Sequence, residues 1–243
     1  MDKNLQDDFI STVSHELRTP LTSIRGFSQT MLSSWDLLDD DKKKQFIKII
    51  EEQSNRLINL VENMLSVNKL QTFSDKFIYK SCNAKNLIEP VVQIVAQKYK
   101  SHNFNTFYAK NLPDIYVDSD KFQQIMTNLI ENAAKYSPEN TSVSVYVDFS
   151  NEIDFASVKV KDEGIGIKQE DFDKIFNKFS RIDNPLTRKV QGSGLGLYIT
   201  KTLVTKMGGN INVTSSDKGS VFEVLLPFAN IENQTKTSFK ELQ

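Results

Sequence analysis

Apolar residues recur at intervals of three and four from about Leu5 to Leu70. The first run is Phe9, Val13, Leu17, Leu21, Ile24, Phe27 and Met31; the second is Phe46, Ile50, Leu57, Leu60, Val61, Met64 and Leu65. That spacing lays one stripe along a helix. Between the runs, Ser33 to Asp41 reads as a turn and an acid-rich helix start, which complements the helix dipole. Pro20 removes a backbone donor inside the first helix and predicts a kink just after His15. Two helices of about thirty residues, roughly 45 Å each at 1.5 Å per residue, make an antiparallel hairpin. One hairpin leaves an apolar stripe uncovered, and pairing two hairpins into a four-helix bundle buries it. The pattern therefore predicts a homodimer through residues 5–70.

After Gln71 to Asp75 the pattern changes. Phe77-Ile78-Tyr79, Phe104 to Tyr108, Ile115 to Val117, Val143 to Phe149, Val158 to Val160, Ile211 to Val213 and Val221 to Leu226 alternate or cluster as strands. Helical patterns lie between them at about 83–99, 120–136 and 194–207. The fold class is α+β: a helical hairpin, then a layered α/β domain with helices on one face of a mainly antiparallel sheet. The domains expected are 1–72 and 76–229. Residues 230–243 lack periodicity and read as a flexible tail.

Composition narrows the partners. Thirty Lys plus Arg against 31 Asp plus Glu leave a net charge of -1, which argues against a bulk electrostatic partner such as duplex nucleic acid or an anionic membrane. The one cysteine, Cys82, excludes an internal disulfide framework and suits a reducing compartment. Only His15 and His102 are available as imidazole ligands, too few for a multi-histidine metal site. His102, beside Asn103, reads as solvated. No stretch approaches the roughly 18 apolar residues of a membrane span.

Four constellations carry chemistry. In Ser14-His15-Glu16-Leu17-Arg18-Thr19-Pro20-Leu21, the ring of His15 sits off the apolar seam with Glu16 next to it. A carboxylate beside an imidazole can hold its tautomer and raise the nucleophilicity of the other nitrogen. In Asn128-Leu129-Ile130-Glu131-Asn132-Ala133-Ala134-Lys135-Tyr136, the residues Asn128, Asn132, Lys135 and Tyr136 share a helix face. An amide oxygen suits Mg²⁺, a lysine a phosphate, and an aromatic ring a base or ribose. In Asp162-Glu163-Gly164-Ile165-Gly166, at a strand end, the carboxylate can accept from an exocyclic amine while glycines let backbone approach closely. Gln191-Gly192-Ser193-Gly194-Leu195-Gly196-Leu197 opens a helix whose N-terminal donors suit an anion. Twenty-five residues separate the two glycine clusters, too many for a tight turn, and read as a lid with Lys178, Arg181, Arg188 and Lys189 as cations. Taken singly, each motif also reads plainly, as a surface histidine, a polar helix face, a turn, or an ordinary helix start.

Together, in this order, they resemble the sensor histidine kinase family. The resemblance covers roughly residues 5–228 and includes its phosphoacceptor, asparagine, glycine and phenylalanine boxes; Glu163 stands where the family more usually has asparagine. It implies a dimeric four-helix bundle joined to an ATPase fold of the gyrase and chaperone type. It implies ATP and Mg²⁺ as cofactors, His15 as phosphoacceptor, Glu16 as its orienting acid–base partner, and Asn132 as the Mg²⁺ ligand. Lys135 and Arg181 would neutralise phosphate, with Lys178 in the lid, and Asp162 would meet the adenine amine. Asn128, Tyr136, Gly164, Gly166, Gly192, Ser193, Gly194, Leu195, Gly196 and Leu197 complete the implied nucleotide contacts. Thr19 matches the position linked to a water in the reverse, regulator-phosphatase reaction. The implied partner is a separate response-regulator receiver domain, docking around residues 16–30 and 56–68. The implied location is the cytoplasm, free or as part of a membrane-bound sensor. The alternative is a nucleotide-binding dimeric module acting mainly as a phosphatase or scaffold.

Overall fold

A computed structural model of the chain describes residues 3–72, 76–182 and 192–229, with side chains from residue 11 onward. The chain divides into two units, the first ending at Lys69 and the second beginning at Leu70.

The first unit is the hairpin, α1 (Lys3–Ser34) and α2 (Asp40–Gln71), joined by a 3-10 turn at Trp35–Leu37. The acid-rich segment starts α2 as its charges dictate. Asp39 accepts from the Lys42 backbone N–H at 2.7 Å, and that bond holds its carboxyl below the ordinary value. Phe27 and Phe46 pack across the turn end with ring centroids 5.1 Å apart, and Met31 and Leu60 are buried. The helix α1 continues through Pro20 without a break. Pro20 is buried, and one residue earlier the Thr19 hydroxyl donates back to the His15 carbonyl at 3.3 Å. Ile47, Ile58, Val61 and Leu65 stay exposed along one side of α2. Among the described residues, no helix is long and apolar enough to cross a membrane.

The second unit is a layer of helices on a sheet. Its strands are β1 (Tyr79–Cys82), β2 (Asn103–Tyr108), β3 (Ile115–Asp118), β4 (Ser142–Phe149), β5 (Phe155–Lys161), β6 (Asn210–Ser216) and β7 (Gly219–Pro227). Its helices are α3 (Ala84–Lys98), α4 (Ser119–Lys135) and α5 (Gly196–Lys206). Five strands form one sheet in the order β2-β4-β5-β7-β6. The β2–β4 pair is parallel and the other neighbours are antiparallel. Strands β1 and β3 form a separate antiparallel pair. Alternation fixes which side chains reach the core: Val143, Val145 and Val147 from β4, Val158 and Val160 from β5, Val224 and Leu226 from β7. Against them α4 packs Phe122, Ile125, Met126, Leu129 and Ile130, all essentially inaccessible.

One strand departs from the apolar pattern. Phe77-Ile78-Tyr79 reads as a strand, yet pairing begins only at Tyr79 and runs through Lys80, Ser81 and Cys82. The cause is Asp118. Its Oδ2 accepts from Ile78 N at 2.8 Å, while its Oδ1 accepts from Asp120 N and Lys121 N, both at 3.1 Å. A single buried carboxylate thus caps α4 and fixes where β1 starts. Replacing it by Asp118→Ala is expected to lower stability by about 2 kcal/mol, the upper end for a lost cap. The midpoint of urea unfolding of the full chain checks this.

Candidate functional site

The segment Ser14 to Leu21 lies mid-way along α1. His15 is exposed, Glu16 half-buried and Thr19 exposed one turn on. The Glu16 Oε2 atom lies 3.3 Å from Arg56 Nη2 on α2, so the carboxylate next in sequence to His15 is held by the opposite helix.

In the second unit a cavity of about 690 Å³, counting its open mouth, is lined by Asn132, Tyr136, Asp162, Gly166, Arg181 and Leu197 among the predicted residues. Ile165, Ile167, Ile175, Ile182, Ser180, Ser220 and Phe222 complete the wall. The isoleucines and Phe222 make it largely apolar, fitting the flat face of a base. Asp162 supplies the polar point at its floor. Its Oδ1 accepts from Gly164 N at 2.8 Å and Ser220 N at 3.0 Å, leaving Oδ2 for a ligand. Burial pushes its carboxyl above the ordinary value, against those two bonds. Burial likewise raises the Tyr136 phenol, offset in part by the Arg181 charge.

The glycines answer to close packing. Gly166 has φ +70, and a Cβ there would overlap the Ser216 carbonyl; Gly194 has φ +67 and lies against the backbone of Phe179, itself at φ 58. The loop before α5 is thereby pinned to the segment that follows the 3-10 turn at Lys174–Phe176. Phe176 of that turn is buried with its ring edge-on to Phe222, centroids 6.5 Å apart. The N-terminus of α5 is in turn tied to α4. The amide of Asn128 donates to the buried Thr200 hydroxyl at 2.8 Å, and its Oδ1 fills the space a Cβ on Gly196 would need.

Several predicted contacts lie outside the pocket wall. Lys135 sits on Glu131 at 3.1 Å, and Glu131 also takes Lys98 at 2.7 Å. Burial pushes the Glu131 carboxyl up, but the two lysines outweigh it and hold it below its usual range. Lys178 lies over the Tyr198 ring at 5.1 Å. Asn128, Gly164, Gly192, Ser193, Gly194, Leu195 and Gly196 do not line the wall; the Ser193 hydroxyl accepts from Leu195 N at 3.3 Å. Gln191, Arg188 and Lys189 lie outside the described residues, as does the segment 230–243. His102 is half-buried rather than solvated, its ring nitrogens within 3.2 Å of Ser101 Oγ and 3.4 Å of the Ser137 carbonyl. Ser220 escaped sequence reasoning because it acts through its backbone N–H, which any residue but proline provides. The wall isoleucines carried a signal in the alternation Ile165-Gly166-Ile167. Among the described residues, no three His, Cys, Asp or Glu side chains converge as a metal cluster.

The family described as histidine kinase-, DNA gyrase B- and HSP90-like ATPase matches residues 117–230, and the His Kinase A (phospho-acceptor) domain matches 5–73. The sensor histidine kinase WalK of Bacillus subtilis (strain 168) is 34% identical over 227 residues, 91% of this chain. The chain belongs to the histidine kinase family. It spans only 36% of the length of that relative. The Acinetobacter baumannii histidine kinase AdeS shares the fold, with a TM-score of 0.69 at 22% identity over 89% of this chain and 98% of that one. Histidine kinase ThkA, solved in complex with response regulator protein TrrA, has a TM-score of 0.69 at 24% identity over 91% of this chain and 61% of that one.

For a histidine kinase ATPase pocket the raised pKa of Asp162 has a definite sign. With its ionised carboxylate as the acceptor for the adenine amine, the role the family resemblance implies, adenine-nucleotide affinity is expected to be full above that raised pKa and to fall as the pH drops through it. The loss should begin at higher pH than for an ordinary aspartate. Asp162→Asn is expected to weaken binding about 10- to 100-fold, the equivalent of one hydrogen bond to a charged group, and to abolish this acid limb. Titration calorimetry with a non-hydrolysable ATP analogue across pH checks both.

Proposed function

We propose that this chain is an ATP-dependent protein histidine kinase that transfers the γ-phosphoryl group of ATP to His15. One observation supports it above others: an exposed histidine flanked by a held carboxylate occurs in the same chain as an ATPase-type pocket with an acceptor carboxylate at its floor. In this reading the unprotonated ring nitrogen of His15 bonds to the γ-phosphorus. The bond from that phosphorus to the bridging oxygen breaks, and its electron pair leaves with ADP. Glu16 takes the proton that the ring releases. Phosphoryl transfer asks mainly for positioning and charge neutralisation.

Residues 76–229 act as the catalytic domain. Asp162 accepts from the adenine amine, Tyr136 and the wall isoleucines flank the base, and Arg181 faces the phosphates. Asn128, Gly164, Gly166 and the loop from Gly192 to Leu197 shape the walls and the α5 terminus around them. Lys178 and Lys135 act as further cations once the nucleotide draws them from Tyr198 and Glu131. Asn132 would hold Mg²⁺. A single amide oxygen fits an ion that keeps several waters and binds chiefly through substrate phosphates. When bound, Mg²⁺ would neutralise phosphate charge.

Residues 1–72 act as the dimerisation and phosphotransfer domain, and the phosphoryl group passes on to the aspartate of a separate response regulator. ThkA, the relative in fold named above, has been solved with a response regulator. Thr19 is assigned to positioning a water in the reverse reaction. The exposed stripe Ile47, Ile58, Val61 and Leu65 supports a second copy as the bundle partner. Val61→Glu with Leu65→Glu is accordingly expected to convert a dimer into a monomer by sedimentation equilibrium; a chain that is monomeric before substitution would sink the bundle.

The activity is tested by incubating the chain with radiolabelled ATP and Mg²⁺ beside His15→Gln and Asn132→Asp. An acid-labile, alkali-stable label is expected on the unsubstituted chain and absent from both variants. Persistent label on His15→Gln would move the acceptor elsewhere, and nucleotide binding without any label would refute the kinase reading.

A further inference from the structure

We propose that Arg56 is a positioning residue for the reaction at His15, acting through Glu16. The inference rests on the proposed phosphoryl transfer to His15. It starts from the hydrogen bond between Arg56 Nη2 and Glu16 Oε2 at 3.3 Å, which crosses from α2 to α1 between residues forty positions apart in the chain. Both side chains are half-buried, with 23% and 28% of their surface exposed. Ion pairs at such exposure contribute little to stability, so the consequence of this one lies in geometry.

A glutamate on a helix surface has three rotatable side-chain torsions, and freezing them at the moment of reaction slows the step. Arg56 freezes them beforehand. Its guanidinium fixes one carboxylate oxygen through a single contact, and the other, Oε1, has no hydrogen-bond partner among the described residues; in the proposed reaction that oxygen takes the imidazole proton. Arg56 itself is set by the rigid middle of α2, where Ser54 bonds back to Ile50 at 2.7 Å and Leu60 is buried four residues on. The hairpin therefore has a second task besides presenting His15: its returning helix aims the base.

The test measures the rate of His15 labelling against ATP concentration for the unsubstituted chain, Arg56→Met, Arg56→Lys, Glu16→Gln and the double variant Arg56→Met with Glu16→Gln. Arg56→Met is expected to lower the maximal rate about tenfold or more, the scale of a misplaced catalytic group, with KM for ATP unchanged. Arg56→Lys, which keeps the charge but not the planar guanidinium, should recover part of the loss. In the Glu16→Gln background, Arg56→Met should cost nothing further, because its effect runs through that carboxylate. An unchanged rate in Arg56→Met overturns the inference. So does the same fractional loss in both backgrounds, a change confined to KM, or a loss that follows unfolding by circular dichroism. If the unsubstituted chain takes no label at all, the kinase reading itself fails, and this inference with it.

Discussion

A carboxylate taken out of water must be compensated, and the second unit is arranged around one that is compensated only on one side. Asp162 is 5% exposed, and both of its hydrogen bonds go to the same oxygen. Leaving an ionised group half-satisfied in an apolar wall is unfavourable for folding alone. The arrangement makes sense as a receptor for a donor that arrives from outside. The glycine turn after β5 and the start of β7 have to converge on Oδ1 for it to persist. The sheet order β5-β7 brings them there, with Lys161 opposite Val221.

Helix α4 carries this outcome to the rest of the pocket. One of its faces fills the core with Phe122, Ile125, Leu129 and Ile130, which locks its rotation. The face presented to the pocket is then determined: Asn132 and Tyr136 line it, and Asn128, one turn earlier, grips Thr200 and Gly196. Because Asp118 caps this helix and also starts β1, the register of the pocket face is set by a residue more than a turn away from any wall position.

Much of this was legible in the sequence, for identifiable reasons. The hairpin was visible because apolar spacing reports a helix face directly, and the meeting of Asn132 and Asp162 in one wall because motif spacing survives without coordinates. Much of what escaped depends on partners distant in the chain. Lys135 pairs with Glu131 one turn back on its own helix, but the further claim of Lys98 on that carboxylate comes from another helix. The polar strand Lys80-Ser81-Cys82 has no alternation to betray it. Arg56 looks like any charged position on α2 until α1 lies beside it. Backbone donors such as Ser220 N leave no trace in residue identity at all.

The contact between Asp162 and Ser220 also orders events during biosynthesis. The contacts within the hairpin join helices linked by one short turn, so they can form once residues 3–71 have left the ribosome, although its exposed stripe still waits for a second copy. The pocket cannot form then, since its floor waits for β7, about 150 residues further on. At about 5–20 residues per second, roughly ten to thirty seconds separate the two. A newly made chain thus has both helices of its first unit, with His15 on one of them, well before the second unit can close its pocket.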